Sequence, residues 1–399
     1  MDRLGLLVLC DSVDRAGGTE AYLARVLPAL VEHGIDVRIA ARRIVDPHAF
    51  GPRAVEFGWG ADNEPANAAA ARSVAALISA WRPDVVLTSN VYDPAVLKAA
   101  RAAPLFIVRM HGHRLFCPQG DRQFPHLPSL CTHPMTATTC LANAALRGCG
   151  AGVSLKTVGL VQTTLDLRAS VLQADHVVVS SRFMARMCLL NGVAPQRITM
   201  IPPPFEGEPV ASAAPRPLRD RVLFAGRFVR DKGLASLVRA LAKIAPERRP
   251  RLAAAGAPTA ESRSIPALAA RLGVDLTLLG KLSTAELNLE IDASTLVAVP
   301  SLWPEPFGLI GIEAQARGRP VVAYDVGGIS EWMGAAGLLV PRADEAAFAA
   351  AVLTVADPAH WPTFSAAALR QAQNYRVANH VDELVGLLSP RAPEVGVCV

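Results

Sequence analysis

Glu305 and Glu313 stand in and just beyond the segment Pro300-Ser301-Leu302-Trp303-Pro304-Glu305-Pro306-Phe307-Gly308-Leu309. Prolines at 304 and 306 fix φ and remove backbone donors, so the chain up to Glu305 is extended rather than helical. From Phe307 onward a helix can begin, and its first N–H groups point outward without intrahelical partners. That end suits an anion or the hydroxyl-rich face of a sugar. The spacing puts Glu313 in the second turn, near the same ligand but one layer deeper. Carboxylates accept hydrogen bonds without needing donors of their own, so the two can hold different parts of one polyol. A capping glutamate beside a buried, satisfied one would give the same pattern. Against that, the apolar neighbours Leu309, Ile310, Ile312, Ala314 and Ala316 make a charge at 313 expensive unless it serves a purpose.

A second set is basic. In Val222-Leu223-Phe224-Ala225-Gly226-Arg227-Phe228-Val229-Arg230-Asp231-Lys232-Gly233, a strand ends at Gly226 and a helix starts near Gly233. Arg227 and Lys232 lie between them, at the carboxyl edge of a sheet. Arginine grips a phosphate with two parallel N–H groups, and lysine adds a mobile point charge. Together they can neutralise a diphosphate without a metal ion, although a solvated basic turn would read the same way. A third set, Gly17-Gly18-Thr19-Glu20, follows the first strand. Glycines there let backbone approach a ligand at a helix N-terminus. The dinucleotide fingerprint G-x-G-x-x-G is absent, and a tight turn alone would use the same residues.

These sets need a scaffold, and the rest of the chain supplies a periodic one. Leu4–Leu9 is a continuous apolar run, as a parallel strand covered on both faces requires. Thr19–Glu32 reads as an amphipathic helix with Thr19 as N-cap and Gly34 at its end. Strands follow at 37–40, 85–88, 105–109 and 176–179, with helices at 68–81 and 154–172. Between Gly112 and about Gly152 the pattern lapses into an insertion or long loop. Glu206–Pro217, rich in proline, alanine and charge, reads as a linker. Beyond it a second series alternates strands at 222–225, 251–255, 276–279, 296–299 and 321–324 with helices at 233–244, 264–272, 284–293 and 309–317. Helices at about 344–356 and 365–389 close the chain. Strands alternating with helices mean βαβ units and parallel sheets. The fold class is therefore α/β, with two doubly wound halves whose ligands bind at the carboxyl ends of the strands.

The bulk numbers agree. The 399 residues suit two domains, and 51% hydrophobic content fills two cores. Mean hydropathy is +0.28, yet no apolar run approaches the roughly 20 residues of a membrane span. Leu4–Cys10 reads as a buried strand rather than a leader, so a cytoplasmic location is expected. A net charge of +5 suits a phosphate-bearing ligand or an anionic surface. Arg38, Arg42 and Arg43 hint at peripheral contact with the inner face of a membrane. No basic block interleaved with aromatics points to nucleic acid.

Taken together, the three sets resemble the retaining GT-B glycosyltransferases of family-4 type, the glycosyl transferases group 1. The likeness covers nearly the whole chain. It implies two Rossmann-like domains facing a central cleft: an acceptor-side domain at 1–205 carrying the insertion at 112–152, a donor domain at 206–375, and a last segment, 376–399, that crosses back. It implies that Arg227 and Lys232 bind the donor diphosphate and that Glu313 holds the ribose. Glu305 would contact the transferred sugar beside the backbone of Phe307, Gly308 and Leu309. Gly17 and Gly18 would approach the phosphates or acceptor, Lys281 and Leu282 the base, and His111 the sugar. The expected donor is a UDP- or GDP-sugar. The acceptor would be a glycan, a lipid-linked sugar or a small metabolite. The reaction would be metal-independent same-face attack, with the leaving diphosphate helping to deprotonate the acceptor. A GT-B nucleotide-sugar epimerase and a non-catalytic sugar-nucleotide-binding module are the alternatives. The chain departs from the family pattern at Ile201-Pro202-Pro203-Pro204 and at Thr88-Ser89-Asn90, both on the acceptor side.

His111 followed by Cys117-Pro118 is also similar to a subset of these enzymes with a cysteine cluster. Cys117, Cys131, Cys140 and Cys149 contain no C-x-x-C pair, which weakens a zinc reading. A structural zinc, with His126 or His133 as further ligands, disulfides and free thiols all stay open.

Overall fold

The structure is a computed structural model that describes residues 3–14, 18–46, 48, 54–56, 68–124, 129–150, 152–217 and 220–388. Contacts divide the chain into two compact units. One is Met1–Pro203 with the returning segment that begins at Val377, and the other is Pro204–Arg376.

The first unit runs β1 (Gly5–Val13), α1 (Gly18–Glu32), β2 (Asp36–Ile44), β3 (Ala54–Glu56), α2 (Ala68–Trp81), β4 (Val85–Ser89), α3 (Pro94–Ala100), β5 (Leu105–Arg109), α4 (Ala137–Arg147), α5 (Leu155–Val171), β6 (His176–Val179), α6 (Arg182–Leu190) and β7 (Ile198–Met200). Its parallel sheet has the order β3-β2-β1-β4-β5-β6-β7. Leu7 sits opposite Arg38 of β2 on one side and Val86 of β4 on the other. Alternate residues of β1 feed different cores. Leu7 and Leu9 pack with Val74 and Val108, whereas Leu6 and Val8 pack with Tyr22, Leu23 and Leu27. Burial on both faces is why the strand reads as an unbroken apolar run.

The second unit runs β8 (Arg221–Ala225), α7 (Leu234–Ala242), β9 (Arg251–Ala255), α8 (Ile265–Arg271), β10 (Leu276–Gly280), α9 (Thr284–Asp292), β11 (Leu296–Val299), α10 (Leu309–Ala316), β12 (Val321–Asp325), α11 (Ser330–Met333), β13 (Gly337–Pro341), α12 (Glu345–Ala356) and α13 (Trp361–Ala372). Its sheet, β10-β9-β8-β11-β12-β13, repeats the winding of the first. In each, strand order reverses beside the first strand, where open α/β sheets leave a crevice for ligands. The chain then returns as α14 (Val377–Leu388). Its Val381, Leu384 and Leu388 join the core formed by α1 and one face of β1.

The structure corrects several sequence expectations. Helix α1 begins at Gly18, so Thr19 is not its N-cap. The Thr19 hydroxyl instead accepts a hydrogen bond from Asn90 Nδ2 at 2.6 Å. The stretch 112–152 is not all loop, because α4 lies in it, capped by the Thr136 side chain and closed by left-handed Gly148. The helix expected over 365–389 is two, α13 and α14, parted at Gln373–Tyr375 and extended Arg376. Tyr375 pins the break by donating to the Glu331 carbonyl at 3.0 Å. The segment 206–217 packs on the second unit: Val210 N–H bonds the Ala316 carbonyl, and the Arg216 guanidinium bonds the Ala356 carbonyl. Gly17 and His126 lie outside the described residues. No helix among the described residues is long and apolar enough to cross a membrane. Of the basic trio, Arg38 stacks on Trp81 at 4.3 Å and Arg42 pairs with Asp11 at 2.8 Å, so both are engaged within the fold.

Leu384 is fully buried in the α1 core. Leu384→Ala is expected to destabilise the first unit by about 2–5 kcal/mol. Urea unfolding should show this as a lower midpoint, and an unchanged midpoint would mean that α14 adds nothing to that core.

Candidate functional site

Strands β8 and β11 are neighbours, with Leu223 opposite Val297, and both end at the same edge. The chain leaving β8 forms a short 3-10 turn, Arg230–Lys232, closed by Gly233. The chain leaving β11 forms no helix or strand through Pro304 and Pro306, bending at Trp303 and Pro306 before α10 begins at Leu309. The two loops are knitted together. Gly233 has φ +75°, and any Cβ there would run into the Pro300 carbonyl. Leu302 N–H donates to the Asp231 carbonyl at 2.7 Å. Only glycine satisfies both the left-handed backbone and the close approach at 233.

This knitting brings Lys232 Nζ to 2.6 Å from Glu305 Oε1. Ser301 Oγ donates to the same oxygen at 2.5 Å, and the ammonium lies 5.3 Å from the centre of the Trp303 ring. Glu305 is 5% exposed. Burial by itself raises its carboxyl. The Lys232 ammonium and hydrogen bonds from Lys232 and Ser301 more than offset this and hold it below its ordinary 4.5. A third loop completes the enclosure. Gly328 N–H donates to the Glu305 carbonyl at 2.7 Å, and Gly327, at φ +66°, has no room for a Cβ against the Glu305 backbone.

The depth order expected for the two glutamates is reversed. Glu305 is the buried one, and Glu313 is half-buried. Helix α10 buries Gly311, Ile312, Ala314, Gln315 and Ala316 and leaves Glu313 half-buried. Gly308, in the left-handed region, begins α10, and no side chain caps its first N–H groups. Phe307 is buried, its carbonyl taken by Trp332 Nε1 at 2.6 Å, while Gly308 and Leu309 are partly open. Arg227 is exposed, and its side chain makes no hydrogen bond or ion pair among the described residues. Lys281 is exposed and Leu282 half-buried, just past the edge strand β10. Sequence reasoning missed Ser301, Trp303, Gly327 and Trp332 as parts of this site. The Gly327-Gly328 pair after a strand was the available signal.

In the first unit, the crevice beside β4 and β5 holds His111. Its Nε2 lies 2.8 Å from Ser89 Oγ, so the departure at 88–90 supplies a partner for this ring. Burial, then the Arg109 guanidinium and His380, push the His111 imidazole well below its ordinary value, so it is neutral. Gly18 opens α1, and nothing would obstruct a Cβ there.

Cys117, Cys131, Cys140 and Cys149 line one pocket together with His133. All four are free thiols. Burial raises the Cys140 thiol to about 11 and the Cys149 thiol to about 12. Among the described residues, no group of three His, Cys, Asp or Glu side chains is placed to hold a metal ion.

Removing Glu305 would leave a largely buried ammonium without its counter-charge. Glu305→Ala is expected to cost about 3–5 kcal/mol in urea unfolding, and Lys232→Met combined with Glu305→Leu distinctly less. Because the folded carboxyl lies below its ordinary value, the pair contributes fully above about pH 4.5 and is lost as pH falls through the lower folded value. That acid-side loss should vanish in the double variant. Equal costs for the single and double variants would show that the pair is not coupled.

Residues 17–204 match the Glycosyl transferase 4-like domain, and residues 219–357 match the Glycosyl transferases group 1 family. D-inositol 3-phosphate glycosyltransferase 1 of Catenulispora acidiphila is 32% identical over 243 residues, covering 55% of this chain and 58% of that protein. D-inositol 3-phosphate glycosyltransferase of Mycobacterium tuberculosis (strain F11) is 32% identical over 275 residues, covering 63% of this chain and 55% of that protein. The chain thus spans little more than half the length of these curated relatives. Sucrose-phosphate synthase from Thermosynechococcus elongatus superposes with a TM-score of 0.73 at 21% identity, covering 96% of this chain and 98% of the other. Anabaena HepE in complex with UDP-glucose superposes with a TM-score of 0.70 at 18% identity, covering 97% and 99%. Two matching halves in the expected order, each a Rossmann-like unit with the same strand winding, show that this chain is a GT-B-fold member of the group 1 glycosyltransferases.

Proposed function

We propose that the chain is a retaining glycosyltransferase that moves a sugar from a nucleotide-diphosphate sugar to a hydroxyl acceptor without a metal ion. The observation that carries this reading is the cationic edge of the second unit. There the loop after β8 carries Arg227, whose guanidinium has no partner among the described residues, and the Lys232–Glu305 pair joins that loop to the one that leads into the uncapped start of α10. A diphosphate leaving group needs positive charge that is already in place when its negative charge grows. Arg227 has all its donors available. Lys232 spends one donor on Glu305 and keeps others for an oxygen of the ligand.

In this reading the second unit holds the donor. Glu313 takes the ribose hydroxyls, Lys281 and Leu282 lie at the base, and Glu305 with the backbone of Phe307, Gly308 and Leu309 takes the sugar. The first unit carries the acceptor side, with Gly18 assigned to the phosphates or acceptor and His111 to the sugar. The departing diphosphate accepts the acceptor's hydroxyl proton as the new bond forms on the same face. No side-chain nucleophile takes part. A solved relative of this fold carries UDP-glucose, which favours a UDP-sugar donor. The relatives named for D-inositol 3-phosphate favour a small phosphorylated polyol as acceptor.

Arg227→Ala is the cleanest test, because the side chain is exposed and its loss leaves the fold intact. UDP-sugar affinity, read by calorimetry, should fall roughly 10–100-fold, as for the loss of a charged hydrogen bond, with unchanged urea unfolding. Transfer should persist in excess EDTA, with the anomeric configuration of the product unchanged from the donor. Full affinity in Arg227→Ala would overturn the donor site. Conversion of the donor without an acceptor to an epimeric nucleotide-sugar would replace transfer with epimerisation. Nucleotide binding without turnover on any acceptor would leave a binding module.

A further inference from the structure

The first unit contains a connected set of polar rings that the donor chemistry does not use. His380 sits in the first turns of α14, just after the chain returns from the second unit. Its Nδ1 lies 2.7 Å from the Pro202 carbonyl, and its Nε2 lies 2.9 Å from the Tyr22 hydroxyl. A carbonyl only accepts, so Nδ1 carries the proton. Neutral His380 therefore presents a bare Nε2, and the Tyr22 hydroxyl donates to it. The direction of both bonds is fixed by a single proton.

Tyr22 is then held on every side. Its ring meets His380 edge-on, with centroids 5.3 Å apart at 84°, and His111 at 5.0 Å and 60°. The Arg109 guanidinium lies over its face, 4.2 Å from the centroid. Arg109 is itself tethered by a hydrogen bond to the Ile201 carbonyl at 3.2 Å. Tyr22 and His380 are 2% and 3% exposed, so neither can touch a substrate. His111 is half-buried, and its other contact is Ser89. The imidazole is thus clamped between a hydroxyl at one end and the Tyr22 ring at its side.

We infer that Tyr22 and His380 are positioning residues for His111, and that α14 takes part in transfer by fixing the orientation of that imidazole. The inference rests on the proposed function only in giving His111 a role at the transferred sugar. The geometry requires the two segments on either side of the second unit, around Pro202 and around His380, to be joined before Tyr22 is locked. The proline run at 202–204 fits this need. It is stiff, because each proline ring fixes φ, so the Pro202 carbonyl is held in place for His380 Nδ1.

The test uses the full chain with isotope-labelled histidine, the His111 resonance being assigned by its loss in His111→Gln. Three variants suffice: Tyr22→Phe, which keeps the ring but cuts it from His380; Tyr22→Leu, which removes the ring; and His380→Gln, which keeps a polar group near Pro202. The expected result is a shifted His111 imidazole resonance in Tyr22→Leu, with a smaller shift in Tyr22→Phe and His380→Gln. With it, kcat should fall roughly 10-fold or more in Tyr22→Leu while KM for the donor holds, as for a sugar-contacting group displaced by a fraction of an ångström. Partial recovery of kcat in Tyr22→Phe relative to Tyr22→Leu supports the ring as the orienting element. An unmoved His111 resonance in folded Tyr22→Leu overturns the inference, as does unchanged kcat in all three variants. Failure of the wild type to transfer sugar would defeat the proposed function instead, and the resonance would still decide whether the rings position His111.

Discussion

The buried pair of Lys232 and Glu305 is the constraint around which the second unit's ligand edge is organised. A carboxylate at 5% exposure is tolerated only with a counter-charge and hydrogen bonds at close range. Supplying them demands that loops after two different strands approach to contact. Gly233 permits that approach against Pro300, Leu302 fixes it through Asp231, and Gly327 and Gly328 close over the backbone of Glu305. Each of these backbone features would be an idle irregularity without the pair. With it, they form one device that sets the two loops in register.

The pair also alters how charge is distributed at that edge. A lone lysine would be a mobile cation. Lys232 is instead fixed, partly neutralised and stacked near Trp303, so its position is set before any ligand arrives. Arg227 has no such partner among the described residues and stays open to solvent. One cation is thus preorganised and one is free. This division suits a ligand whose charge grows during reaction, since fixed dipoles and charges need no reorganisation at that moment. In the proposed function both meet the diphosphate, one already held in place and the other free to adjust to it.

What could be read from the sequence follows from the range over which each signal acts. Ala68–Trp81, Leu105–Arg109 and Arg251–Ala255 were visible because periodicity and flanking breakers act within a few residues. Helices α3 and α6 and strands β7 and β13 were not. Strand β7 spans three residues, and β13 ends in Pro341, a residue tolerated only because the strand lies at the sheet edge. At the site, Glu305 and Lys232 stood out through their prolines and glycines, local features again. Their ion pair did not, because it joins loops from distant segments. Glu313 misled for the complementary reason: an apolar helix says that one face is buried, but not which face residue 313 occupies. Tyr22 and His380, separated by 358 positions, carry no local mark at all.

The two units share one winding yet solve the problem of polar groups at the crevice in opposite ways. The second pairs opposite charges. The first places one cation, Arg109, beneath neutral rings. That guanidinium is 2% exposed, and its Nε and Nη1 find no hydrogen-bond acceptor among the described residues. The Tyr22 face and the Ile201 carbonyl supply its remaining stabilisation. An uncompensated buried cation acts on every titratable neighbour. Burial and then Arg109 depress both imidazoles, taking His380 down to about 3 and His111 well below its ordinary value. A protonated His380 would offer Tyr22 a donor in place of an acceptor and reverse the bond that orients the ring. Arg109 opposes that protonation by charge alone. Burial is the larger cause of their neutrality and Arg109 adds to it; an acidic partner would satisfy the guanidinium but remove that second contribution.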